Sequence, residues 1–130
     1  MHLDGMTIAF AVLLIAPAAA AEPAAPAKPA ACFFAPEFQN WKAPDAKTIY
    51  IRVNVNQYYR LDLANACPAL LGPDSHLVTK FHGPDTVCSA LDWDLQVSQG
   101  FHDIAEPCIV KTMTALTPAD AAAMPRKFRP

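Results

Sequence analysis

The chain is poor in glycine, with 4 in 130 residues against 13 prolines. It therefore lacks the glycine-rich loops that cradle phosphates, and the prolines argue against a bundle of long helices. It also lacks an excess of either charge. Ten Lys and Arg stand against 12 Asp and Glu, a formal net charge of −2. That leaves no basic footprint for nucleic acid or for an anionic membrane. Serine is scarce: Ser75, Ser89 and Ser98 are its only occurrences, and none sits in a G-x-S-x-G elbow. Closely paired cysteines are missing too. Cys32, Cys67, Cys88 and Cys108 are widely spaced, so there is neither a C-x-x-C redox motif nor the C-x₂₋₄-C spacing of structural zinc.

The even cysteine count, with none before Cys32, reads as a small exported domain held by two disulfides. Thr7–Ile15 (TIAFAVLLI) is uncharged, Pro17 follows, and Ala19-Ala20-Ala21 offers a small-residue cleavage site. Residues 1–21 thus read as a signal peptide cut after Ala21. The segment before the apolar run, MHLDGM, carries no Lys or Arg; a start at Met6 would remove Asp4. The apolar run is well short of the ~20 residues that span a bilayer, so no transmembrane span is expected in the mature chain. Lipidation of Cys32 is disfavoured, because Pro29-Ala30-Ala31 lacks a large aliphatic residue and three thiols would remain. Residues 22–31 (EPAAPAKPAA) read as a disordered Pro/Ala-rich spacer, 32–124 as the folded domain and 125–130 as a frayed basic tail.

Within the domain, Thr48–Val55 (TIYIRVNV) alternates with Ile49, Ile51, Val53 and Val55 on one face. Tyr58–Leu63 repeats the pattern with Tyr59, Leu61 and Leu63 inward, and Asn54–Gln57 supplies turn-tolerant residues. These two strands are expected to form a hairpin. Pro68–Leu71 offers a helical turn, His76–Phe81 a strand and His82-Gly83-Pro84-Asp85 a turn. Leu91–Val97 alternates with Leu91, Trp93, Leu95 and Val97 inward. Ser98–Pro107 reads as a polar loop and Cys108–Ala115 as a further strand of ambiguous phase. Thr117-Pro118-Ala119-Asp120 forms a capping box for a short helix that Pro125 ends. Phe33, Phe38 and Trp41 are expected to close one end of the core. The fold class is therefore mainly β: a small antiparallel sheet curled into a barrel or sandwich, with a short C-terminal helix.

Several short signatures recur together: Cys32-Phe33; Trp41 with Pro44-Asp45 before TIYIRV; and YRLDL leading to Ala66-Cys67-Pro68 and Leu70. They continue with Val87-Cys88, Asp92, the LQV strand, Cys108-Ile109-Val110 and the closing LTPADAAA. With the four-cysteine spacing, this set resembles an uncharacterised family of small exported bacterial proteins, known only as a domain of unknown function. The resemblance spans Cys32 to about Ala123. It implies export and paired cysteines, and carries no activity and no functional residues.

Three disulfide connectivities are open. Cys32–Cys108 with Cys67–Cys88 is preferred, since the first pair opens strands at the domain's ends and the second brackets a central loop. Cys32–Cys67 with Cys88–Cys108 is the alternative. Each bridge is worth ~3–4.5 kcal/mol by loop entropy. His76, His82 and His102, with Asp85 or Asp103, are the candidates for a metal site, but no ligand spacing groups them, and they read as exposed loop residues. Asp92 and Asp94, same-facing and ~6–7 Å apart on a strand, read as a wet face rather than an acid–base pair. Tyr50, Tyr58, Trp41 and Phe101 form an aromatic set. Tyr50 and Tyr58, outward-facing and cross-strand, are the candidate binding patch.

No catalytic residue, metal ligand or cofactor site is assigned. The expected role is a monomeric, non-enzymatic periplasmic or secreted domain that binds an envelope protein or ligand. The alternatives are a secreted hydrolase inhibitor presenting the Ser98–Pro107 loop and a minor metal-dependent enzyme using the histidines.

Overall fold

The computed structural model describes residues 30–100 and 104–130. The expected leader, most of the spacer, Phe101, His102 and Asp103 lie outside the described residues. The protein is mainly β. The strands are β1 (Phe33–Phe34), β2 (Phe38–Asp45), β3 (Thr48–Val53), β4 (Gln57–Leu63), β5 (Ser75–Phe81), β6 (Thr86–Val87), β7 (Trp93–Gln99), β8 (Glu106–Pro107) and β9 (Val110–Ala115), followed by the helix α1 (Pro118–Ala123). They form a four-stranded sheet of order β2-β3-β4-β9, a three-stranded sheet of order β5-β7-β8 and a two-stranded ribbon β1-β6. All pairings are antiparallel. Of the barrel and the sandwich, the described strands close no barrel; the two larger sheets share one core.

Alternation builds that core. Ile49, Ile51 and Val53 of β3 and Tyr59, Leu61 and Leu63 of β4 point inward with at most 5% exposure. They meet Trp93, Leu95 and Val97 of β7. Each such side chain contributes about 1.5–3 kcal/mol through lost contact with water. Phe33 of the ribbon lies between the sheets, its ring 5.1 Å from Tyr59 and 5.9 Å from Trp93. It is thus a central residue rather than an end cap, while Phe38 and Trp41 pack partly buried against the cluster. Trp93 Nε1 donates to Met113 Sδ at 3.3 Å, tying β7 to β9.

Three of the longer strands depart from the sequence expectation. β2 is an eight-residue strand where none was expected. It holds Pro44 and two register irregularities, which an edge strand tolerates and which erase the period-two pattern. Val55 is 71% exposed, because β3 stops at Val53 and Asn54 turns the chain at φ 57°, a left-handed conformation that Asn accepts. Leu91 is 88% exposed, because a 3₁₀ turn over Ala90–Asp92 precedes β7 and breaks its phase. The last strand begins at Val110 and not at Cys108, and its open phase is settled with Val110 buried and Ile109 exposed just before it.

Candidate binding face and the two bridges

The disulfides are Cys32–Cys88 and Cys67–Cys108. This corrects both the preferred and the alternative pairing. The register explains the first bridge. Phe33 pairs with Val87 and Phe34 with Thr86, so the next position outward sets Cys32 opposite Cys88. The second follows from the β4–β9 ladder. Leu63 pairs with Val110, and Ala64 N–H donates to Ile109 O, so the chain leaving β4 runs beside the chain entering β9. Cys67 and Cys108 lie just beyond those ends and are buried, at 5% and 3% exposure, whereas Cys32 and Cys88 are exposed. The Tyr59 hydroxyl, rising from the core, lies 2.9 Å from Ala30 O and 3.2 Å from Cys32 O, which hooks the entering chain to the sheet. Burial, and secondarily Glu37, push the Tyr59 phenol pKa up.

Tyr50 and Tyr58 occupy the outer face of the four-stranded sheet, since their neighbours Ile49, Ile51 and Tyr59 point inward. They are not directly opposite one another. Tyr50 lies across from Lys42 on one side and Arg60 on the other, and Tyr58 lies across from Arg52. The face is therefore a diagonal lattice of two tyrosines and three cations. Arg60 is held by Asp62 of its own strand, Nη2 to Oδ1 at 2.8 Å and Nε to Oδ1 at 2.9 Å. This hydrogen bond raises the Arg60 pKa. The pair is in-strand rather than cross-strand, and its exposure keeps its contribution small. Thr112 Oγ1 donates to the other carboxylate oxygen of Asp62.

The C-terminal segment covers part of this face. Thr117 caps α1: its hydroxyl accepts from Asp120 N–H, while the Asp120 carboxylate accepts from Thr117 N–H and hydroxyl. Those bonds hold the Asp120 carboxyl below the usual carboxylate range. Ala121 and Met124 are buried yet lie outside the main core. Instead of fraying, Arg126–Phe128 makes a 3₁₀ turn against β2. Arg129 Nη2 donates to Ala122 O and Met124 O, closing the end of α1, and Pro130 is buried. Between this strap and the sheet lies a cleft of about 290 Å³, lined by Tyr50, Arg60, Leu116, Asp120, Met124 and their neighbours. Among the described residues, Arg52 Nε on the outer face and Arg129 Nε in the strap are buried without a hydrogen-bond partner.

Sequence reasoning found Tyr50 but missed the strap and Arg129. The available signal was Met124 and Phe128 flanking Pro125 after a well-capped helix, apolar residues that a solvent-exposed tail would not need.

The remaining candidates are dispersed. Trp41 pairs with Ile51 and turns toward the core rather than joining the tyrosines. Asp92 sits in the 3₁₀ turn, not on the strand. Its carboxylate accepts from Cys88 N–H and Ser89 N–H, each at 2.8 Å, and those bonds hold its pKa below the usual range. Asp94 lies on β7 opposite Lys80, so the two carboxylates do not form a matched pair. His76 lies at the start of β5 and His82 just past its end, and among the described residues no three His, Cys, Asp or Glu side chains converge. The expected loop from Ser98 to Pro107 is shorter at both ends: Ser98 and Gln99 finish β7, and Glu106-Pro107 pairs with it as β8. Among the described residues no helix is long and apolar enough to cross a membrane.

No curated protein matches the chain, and no solved structure does. Residues 1–129 match the Family of unknown function (DUF6491), and the chain belongs to that family.

Proposed function

We propose that the chain is a non-enzymatic binding domain of the cell envelope or of the secreted fraction, with its ligand site in the cleft under the C-terminal strap. The observation that carries the reading is the composition of that cleft. One wall is the aromatic and cationic pair Tyr50 and Arg60, and the other is the apolar strap around Leu116 and Met124. A concave site with apolar walls and a few oriented polar groups is the ordinary form of a small-ligand pocket. The polar groups there are already engaged, Arg60 with Asp62 and Asp120 with Thr117. They are arranged to orient a ligand rather than to move a proton. An oxidising compartment is supported by the two disulfides and by the leader-like N-terminal sequence.

A small-molecule fragment screen read by NMR on the oxidised full chain tests this. Hits should shift the resonances of Tyr50, Arg60 and Met124, and Tyr50→Ala should abolish those shifts while leaving the fold intact. Hits that cluster elsewhere, for example at the exposed Leu91 and Ile109, would overturn the assignment.

A further inference from the structure

The two bridges interleave: the first cysteine joins the third and the second joins the fourth. From this we infer that the protein is a client of a thiol–disulfide isomerase, a partner with a nucleophilic thiolate that reshuffles bonds without net oxidation. Three features of the molecule converge on it.

The order of synthesis is the first. Cysteines emerge from the N-terminus onward, so Cys32 and Cys67 meet an oxidant before Cys88 and Cys108 are available. The first bond open to the chain is therefore one that the native fold does not contain. Loop closure is the second. The native bridges span separations of 56 and 41 residues. Pairing consecutive cysteines closes two shorter loops, which chain statistics favour roughly six-fold over the native pairing. Because the closure cost grows with the logarithm of each loop, it depends on the product of the two lengths, and of the three connectivities the native one has the largest product. Guidance by prior folding is the third. Cys32 is brought to Cys88 by a ribbon of only two residue pairs, and Cys108 meets Cys67 only when β9, the last strand, docks on β4. A two-pair ribbon is marginal in water without the rest of the core, so neither alignment exists early enough to direct oxidation.

The rearrangement balances without an oxidant. The isomerase thiolate attacks the Cys32–Cys67 bond at the Cys67 sulfur, forming a mixed disulfide and releasing the Cys32 thiolate. That thiolate attacks the Cys88–Cys108 bond at the Cys88 sulfur, forming Cys32–Cys88 and releasing the Cys108 thiolate. The Cys108 thiolate then attacks the mixed disulfide at the Cys67 sulfur, forming Cys67–Cys108 and regenerating the isomerase thiolate. Two disulfides are present at the start and two at the end. The final bond lies in the core, where both sulfurs are shielded from further exchange.

The test is oxidative refolding of the reduced, unfolded full-length chain. Diamide serves as oxidant and is then removed, reduced protein disulfide isomerase is added in catalytic amount or withheld, and acid-quenched peptide mapping is the readout. Diamide alone should leave Cys32–Cys67 with Cys88–Cys108 as the largest two-bridge species. The isomerase should then raise the native species about five-fold with the number of disulfides per chain unchanged. A native pairing that dominates with diamide alone, or a distribution that the isomerase does not change, would overturn the inference. The variant C32S/C88S has one bond to make and no exchange to undergo, so the isomerase added after oxidation should leave its bridged fraction unchanged. An equal rise there would show that interleaving is not the cause.

Discussion

The two bridges brace the molecule in different ways. Cys67–Cys108 sits inside, where the chain leaving β4 meets the chain entering β9, and its sulfurs are part of the core packing. Cys32–Cys88 sits outside, at the end of a two-pair ribbon, and fastens the point at which the N-terminal segment enters the domain. Their loop lengths are close enough that crosslinking entropy assigns about 4 kcal/mol to each. Any larger difference between them therefore measures packing. Burial, rather than loop length, distinguishes the structural core from its clasp.

The comparison is broken most severely by deleting the buried bridge. C67S/C108S loses the entropic contribution and also places two hydroxyls in apolar surroundings, so its loss should exceed that of C32S/C88S by at least about 1–2 kcal/mol. Denaturant unfolding of both variants decides it, and equal losses would mean that the burial of the sulfurs contributes nothing. A smaller effect is expected from Tyr59→Phe, which keeps the ring in the core and removes only the hydroxyl that reaches Ala30 and Cys32. It should cost about 1 kcal/mol. Hydrogen exchange should show the loss concentrated at the start of the domain, on the side of the exposed bridge.

The smallest effect is electrostatic. Asp92 and Asp120 have pKa values below the usual carboxylate range, the first through Cys88 and Ser89 N–H bonds and the second through the Thr117 hydroxyl and N–H. A depressed folded-state pKa gives stability that is present above the unfolded value, near 3.9, and is lost as pH falls through the folded value. The melting temperature should therefore drop below about pH 4. Asp92→Asn should flatten that acid limb, because the turn carrying Cys88 no longer depends on an ionised carboxylate.

Much of the fold was legible wherever one face of a strand is wet and the other dry. The β3–β4 hairpin, most of β7 and the Thr117–Asp120 cap follow from period and from capping chemistry. What was not legible depends on contacts distant in sequence. β2 is an edge strand with Pro44 and two irregularities, so its burial does not alternate. Leu91 stands in the turn before β7 and Val55 in the turn after β3, and each extends the strand's alternation beyond the strand itself. The cysteine pairing is set by β1 finding β6, two strands of two residues each, too short to leave a pattern. On the candidate face, Tyr50 and Tyr58 were visible as outward residues. Their separation by Arg52 and Arg60 is a matter of register, and the strap across them is a matter of packing.

Graded reduction of the native protein, with differential alkylation and peptide mapping at each step, addresses the difference between the bridges most directly. Cys32 and Cys88 should label together and first, while Cys67 and Cys108 stay protected until the sheets come apart. Labelling of Cys67 and Cys108 before Cys32 and Cys88, or a peptide joining Cys32 to Cys67 in natively folded protein, would contradict it.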